Sequence, residues 1–206
     1  HHDIGLRALV PRVARDLAAH FDFLRDAPDT AGLEGYLFPD TYRIFKHATP
    51  EDIARKMLVN FGEKLNAEAR EKIANQGKTI FEIVTVASLI EKEVITDEDR
   101  ALVSGILWKR LEIGMPLQVD AVFVYANGKN SFTLTTKDLR EDHPYNTYTN
   151  KGLPPTPIAN PGLDSIKAAI DPIESDYLFF LSDRSGNMYY SETFKEHVRK
   201  KKIYLN

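Results

Sequence analysis

Apolar residues recur at helical spacing through most of this chain and give way to short apolar, β-rich runs in its second half, which predicts many helices and a small sheet. In residues 4–24, Leu6, Leu9, Val10, Val13 and Leu17 share one face and predict one or two short helices, interrupted at Pro11. Residues 27–35 are rich in Pro, Asp, Thr and Gly and read as a connection. Thr49-Pro50-Glu51 then opens a helix with Asp52 as capping acid and an apolar face of Ile53, Met57, Leu58 and Phe61. Another helix covers residues 67–75 and stops at Gly77. Residues 79–94 form a third periodic stretch. After a polar turn (96–99), residues 100–111 form a fourth, ended by Gly114.

Residues 118–126 alternate loosely and are rich in β-formers, so they read as a strand or a short buried helix before the Asn127-Gly128 turn. Residues 145–162 hold four prolines and two glycines, which predicts a long ordered loop, a kind that tends to be functional. A short helix follows over 164–169. An apolar strand (177–182), a Ser185-Gly186-Asn187 turn and a partner strand (188–191) make a hairpin, and a terminal helix starts at Phe194. The fold class is α+β.

Composition narrows the function classes. With 206 residues, 43% hydrophobic and 28% charged, the chain has the make-up of an ordinary globular protein. A net charge of −3 argues against nucleic acid, whose binders carry a basic excess. The one basic run, Arg199 to Lys202, reads as a solvated helix end. The absence of cysteine rules out disulfides and cysteine-type metal sites. No apolar run approaches a membrane span. His1 and His2 resemble the end of a purification tag, so an upstream anchor is expected to have been removed.

On a helix over 79–94, Ile80, Ile83, Val84, Ala87, Ile90 and Val94 form one apolar stripe, while Thr85, Ser88 and Lys92 fall opposite. Glu82 and Glu93 lie near the stripe's edge. Glu91 projects inside it, between Val84, Ala87 and Val94. A carboxylate there either finds a cation, such as Arg100 or Arg110 in a structural ion pair, or keeps its proton and becomes an acid suited to a leaving oxygen. Asp120, in PLQVD, reads as a cleft residue or as a cap or ion pair. His143 reads as a surface residue, and no metal site is expected. Ser88 has no recognisable base, and neither a phosphate loop nor a GxSxG elbow is present. Loop 145–155, YNTYTNKGLPP, combines tyrosines that can stack on sugar rings with amides that can bond hydroxyls; the alternative is a rigid structural loop.

Five segments in order carry a family resemblance: LEGYLFPDTY (33–42), ASLIEKE (87–93), KRLEIGMPLQVD (109–120), YNTY followed by GLPP (145–155) and IANPGLDSIKAA (158–169). Together they resemble the MltG/YceG-like endolytic murein transglycosylases over residues 33–206. Residues 1–32 carry no comparable signature and are expected to be a helical segment or the remnant of a LysM-like region. Val94 stands where many relatives have Thr.

The resemblance implies a lyase that cuts peptidoglycan glycan strands internally, at the β-1,4 bond between N-acetylmuramic acid and N-acetylglucosamine, and leaves 1,6-anhydro ends. Glu91 aligns with the catalytic glutamate, acting first as acid and then as base. Gln118, Tyr145, Asn146 and Tyr148 are expected to orient substrate or Glu91, with Asp120 as an electrostatic helper. Glu34 belongs either to the site or to a packing element that supports it. No cofactor is implied. The family context suggests action outside the bacterial cytoplasmic membrane, an N-terminal transmembrane anchor in the full-length protein, and penicillin-binding proteins of the wall-synthesis machinery as partners. The alternatives are a hydrolytic muramidase pairing Glu91 with Asp120 or Glu93, and a non-catalytic peptidoglycan-binding module.

Overall fold

A computed structural model of the protein describes residue 17 and residues 20–28, 31–129 and 133–205. Seven α-helices occur among them: α1 (Pro50–Lys64), α2 (Ala67–Asn75), α3 (Ile80–Glu93), α4 (Asp97–Glu112), α5 (Ala121–Asn127), α6 (Leu163–Ile170) and α7 (Phe194–Tyr204). Strands β1 (Phe179–Ser182) and β2 (Met188–Ser191) form an antiparallel hairpin that pairs Phe179 with Ser191. The α+β expectation holds.

Helix starts follow their local chemistry. Thr49 and Asp52 close a capping box on α1, as do Thr79 and Glu82 on α3. Thr96 caps α4 so that it begins at Asp97, inside the expected polar turn. Residues 118–126 resolve in favour of the buried helix: α5 starts at Ala121 and ends at Gly128, whose φ of 76° suits a residue without a side chain.

The centre of the molecule is α3, packed against α4, α5 and α6. Its residues 83–90 are all buried, so the expected polar side does not exist. Thr85 and Ser88 are fully enclosed, and only Lys92 of that trio faces solvent. Enclosure is tolerated because each hydroxyl is satisfied: Thr85 Oγ1 donates to Phe81 O (2.7 Å), and Ser88 Oγ donates to Thr85 O (2.7 Å) while accepting from Ile158 N (3.0 Å). A helix buried on every side gives no directional pattern for sequence to read.

Phe23, Tyr36 and Phe61 form an aromatic cluster in the same core, with Phe23 and Phe61 4.8 Å apart. The described residues before the 27–35 connection therefore share the core of the rest. Most of the proposed LysM-like remnant lies outside the described residues. The basic run sits on α7 with Arg199, Lys201 and Lys202 exposed, as a solvated helix end should be. The ring of Tyr204 on α7 stacks on Tyr189 of the hairpin at 3.7 Å.

Candidate active site

Glu91 lies in the last turn of α3, half-buried, where α6 begins. Glycine at the N-cap of α6 supplies no capping side chain, and Glu91 fills the gap from another helix. Its Oε2 accepts from the Ser165 hydroxyl (2.7 Å) and the Gly162 N–H (3.1 Å). The positive end of α6 adds a favourable field of roughly 0.3–1 kcal/mol for a negative group there. Oε1 has no hydrogen-bond partner among the described residues. The structure thus departs from the ion-pair reading of this side chain. Arg100 pairs instead with Asp97, and Arg110 spends its guanidinium on the carbonyls of Leu178 (2.6 Å) and Leu117 (2.6 Å).

The segment that supplies these donors is itself fixed. The Asn160 side chain accepts from Gly35 N (2.8 Å) and Leu37 N (3.0 Å) and donates to Glu34 Oε1 (3.0 Å). The 33–37 turn thereby joins the 158–165 segment in one seam. Gly35 is required at their contact: its φ is 94°, and a Cβ would lie 2.6 Å from Val84 Cγ1 and 2.7 Å from Pro157. Glu34 belongs to this seam, two residues along the chain from where Gly162 meets Glu91 through Asn160.

A second group forms where residues 118–120 meet loop 143–150. Thr147 O accepts from Gln118 N (3.0 Å), and Thr147 Oγ1 accepts from Val119 N (3.0 Å). Gln118 is exposed and has a φ of 53°, the one non-glycine positive φ among the described residues. Such strain persists where surrounding structure holds it, often at functional sites. Asp120 does not cap α5; its Oδ1 accepts from the Tyr148 hydroxyl (2.6 Å). Burial first, then the Asp120 charge, pushes the Tyr148 hydroxyl well above the usual phenol range.

Sequence reasoning gave Asn146 the wrong neighbours. It is buried, its amide is aimed at the carbonyls of Asp138, Leu139 and Glu141, and its carbonyl oxygen accepts from Tyr148 N (3.0 Å). It shapes the loop and presents no group to a ligand. Tyr145 is half-buried, with its hydroxyl against Thr156 Oγ1 (2.7 Å) and its ring 5.3 Å from that of Tyr125 and 5.8 Å from His143. Tyr125, 38% exposed on α5, was absent from the expected site. Burial raises its hydroxyl's pKa, and the neighbouring Glu34 charge adds to the lift.

Glu93, one turn-edge from Glu91, has a different setting. Its Oε1 accepts from Ala121 N (3.3 Å) at the start of α5. Burial pushes its carboxyl up to about 7, aided by the Asp120 charge and opposed by the Ala121 N–H. The structure therefore assembles two clusters on the end of α3. Gly162 and Ser165 meet Glu91, with Asn160 and Glu34 bonded to each other in the adjoining seam, and Asp120 and Tyr148 lie beside Glu93, next to Gln118 and Thr147. Asn160, Gly162 and Ser165 lie within the conspicuous IANPGLDS stretch, but nothing local in it announces which atoms meet Glu91.

The Gly152–Pro155 portion of loop 145–155 lines a cavity of about 540 Å³ with Phe81, Trp108 and Leu111, at the opposite end of α3 from Glu91. Glu82 of that cavity and Glu91 are nine residues apart, about 13 Å along the axis. No group of three or more His, Asp or Glu that could hold a metal occurs among the described residues, and no helix there is long and apolar enough to cross a membrane.

A family model described as the YceG-like family matches residues 7–203. An endolytic murein transglycosylase of Bacillus subtilis is 40% identical over 175 residues, which is 84% of this chain and 48% of that protein. One from Streptococcus pneumoniae is 36% identical over 189 residues, 89% of this chain and 34% of that protein. The crystal structure of a yceG-like protein from Listeria monocytogenes superposes with a TM-score of 0.83 at 35% identity, covering 93% of this chain and 64% of that one. The chain spans about half the length of the Bacillus relative and about a third of the Streptococcus one.

Proposed function

Because this chain belongs to the YceG-like family, we propose that it carries the catalytic site of an endolytic peptidoglycan lytic transglycosylase, with Glu91 as its acid and base. The observation that carries this reading is the Glu91 carboxyl itself. One oxygen is held by Ser165 and Gly162 while the other has no protein donor among the described residues. The names of the curated relatives support the substrate class.

In this mechanism Glu91, protonated on Oε1, donates to the glycosidic oxygen between N-acetylmuramic acid and N-acetylglucosamine as the bond to C1 breaks. Ser165 and Gly162 donate to the other oxygen, Oε2, and so support the negative charge that develops on the carboxyl during the transfer. Glu91 then takes the proton from the C6 hydroxyl of the same muramyl ring. That oxygen closes on C1 to give the 1,6-anhydro end, and Glu91 is protonated again. One carboxyl serves both steps, and the internal nucleophile has a proximity advantage over water.

In this reading Gln118, on its exposed turn of positive φ, and the Tyr145–Tyr125 aromatic pair orient the glycan. Asn146, Tyr148 and Asp120 act by shaping the contact between residues 118–120 and loop 143–150. Glycan strands are the substrate, reached outside the cytoplasmic membrane, with penicillin-binding proteins as candidate neighbours in wall synthesis. The hydrolytic alternative needs a second carboxylate free to act as base on water or as nucleophile. Asp120 and Glu93, its two candidates, are engaged with Tyr148 and Ala121.

Mass spectrometry of products from purified peptidoglycan, for this protein and Glu91→Gln, tests the reading. Internal fragments with 1,6-anhydro-muramyl ends, absent from the variant, are expected. Reducing ends would establish a muramidase instead. Anhydro ends that persist in Glu91→Gln would remove Glu91 from the chemistry.

A further inference from the structure

Residues 158–165 run along one face of α3 and are tacked to it at both ends of a short stretch. Ile158 N donates to Ser88 Oγ (3.0 Å), and Gly162 N donates to Glu91 Oε2 (3.1 Å). Ser88 and Glu91 stand one turn apart on the helix, so both tacks fall on the same face. Asn160 lies between the tacks and bonds in the other direction. Its Oδ1 accepts from Gly35 N (2.8 Å) and Leu37 N (3.0 Å), and its Nδ2 donates to Glu34 Oε1 (3.0 Å). One side chain thus commits both ends of its amide to a single turn.

That turn is firmly seated. Leu33 and Tyr36 anchor it in the core, and Gly35 lies so close to α3 that a Cβ there would be 2.6 Å from Val84 and 2.7 Å from Pro157. The chain between Asn160 and Gly162 is equally unable to absorb a shift. It consists of Pro161, which is buried and whose ring fixes φ, and a residue that precedes proline is itself confined to extended backbone. A displacement of Asn160 is therefore passed on to the Gly162 N–H and, through the start of α6, to the Ser165 hydroxyl. Those are the two donors to Glu91.

We infer that Glu34 and Asn160 are a pair of positioning residues, whose hydrogen bond sets the register of the 158–165 segment and so the placement of both donors on Glu91 Oε2. Their role rests on the reading of Glu91 as acid and base, and both act through those donors. The pair needs one donor facing one acceptor at the 34–160 contact, and an acceptor for the N–H groups of Gly35 and Leu37. The direction of the bond between the two side chains is free. An amide at 160 opposite a carboxylate at 34 meets the need. A carboxylate at 160 opposite an amide at 34 meets it as well, with the total charge unchanged.

The test reverses that bond and follows peptidoglycan turnover and the Gly162 amide, in each single variant and in the double one. Asn160→Asp keeps an acceptor for Gly35 and Leu37 but sets two carboxylates face to face. It should lower kcat about tenfold, with KM changed by less than about twofold. Adding Glu34→Gln restores a donor and should bring kcat back to within about threefold of the unsubstituted protein, the non-additivity of groups in direct contact. Hydrogen exchange at the Gly162 amide should quicken in Asn160→Asp and slow again in the double variant. A role in stability alone would lower the melting temperature and leave kcat per folded molecule where it was. Glu34→Asp, which draws the carboxylate back by one methylene without adding charge, covers an Asn160→Asp protein that does not fold. It should quicken Gly162 exchange and lower kcat about threefold. Unchanged kcat per folded molecule in Asn160→Asp would overturn the pair. So would a double variant whose loss equals the product of the two single losses, or an unchanged Gly162 amide in Glu34→Asp. Continued cleavage by Glu91→Gln would refute the Glu91 reading alone, and Gly162 exchange would still judge Glu34 and Asn160.

Discussion

Two carboxyls leave the same turn of α3 and enter opposite environments. Glu91 meets a hydroxyl, an amide N–H and the positive end of a helix. Glu93 meets another acid and a single amide. Neither difference belongs to α3. Both come from what the chain delivers to its end: the 158–165 segment on one side and residues 118–121 on the other. Position on a helix decides where a carboxyl points, and the facing element decides which groups it meets.

Three substitutions probe that contrast, in descending order of effect. Glu91→Gln keeps the shape and both donors' neighbour but cannot give or take the proton, so turnover should fall about 10³-fold, by product mass spectrometry. Loss comparable in size from Glu93→Gln would erase the distinction between the two. Gly35→Ala places a methyl against Val84 and Pro157 and forces a residue with a side chain into positive φ. It should destabilise the protein by about 2–4 kcal/mol in denaturant unfolding, through overpacking and backbone strain together. The damage should reach Glu91's side, because Gly35 N is bound to Asn160. Ser165→Ala removes one of the two donors to Glu91 and should lower kcat about tenfold with little change in KM, the signature of lost support for a charge formed during reaction.

Local chemistry was legible in the sequence, and assembly was not. The capping boxes at Thr49 and Thr79, the hairpin around Gly186 and the helical stripe that singled out Glu91 are all written within a few residues. The wheel failed at Thr85 and Ser88, because α3 is enclosed on every side and small hydroxyls can be satisfied by its own carbonyls. The choice at 118–126 stayed open because a seven-residue helix rich in Val, Phe and Tyr takes its form from packing rather than propensity. The donors to Glu91 were invisible for a different reason. Ser165 and Gly162 lie more than 70 positions from it, and no periodicity reports a contact at that range. Asn146 misled because amides that bond sugars and amides that bond backbone look alike in sequence.

The seam at Asn160 also sets the order in which the molecule can mature. Its bonds to Gly35 and Leu37 close loops of 125 and 123 positions, among the longest-range hydrogen bonds of the described residues. Contacts so distant form late, since the entropy of bringing the ends together precedes any reward. A chain emerging from the ribosome can wind α3 early, yet Glu91 acquires its donors only after residue 165 has been made. Nascent and prematurely terminated chains therefore carry the glutamate without its site. Hydrogen exchange at the Gly35 and Leu37 amides during refolding follows that closure directly, and cleaving activity should arrive with their protection rather than with the helical signal.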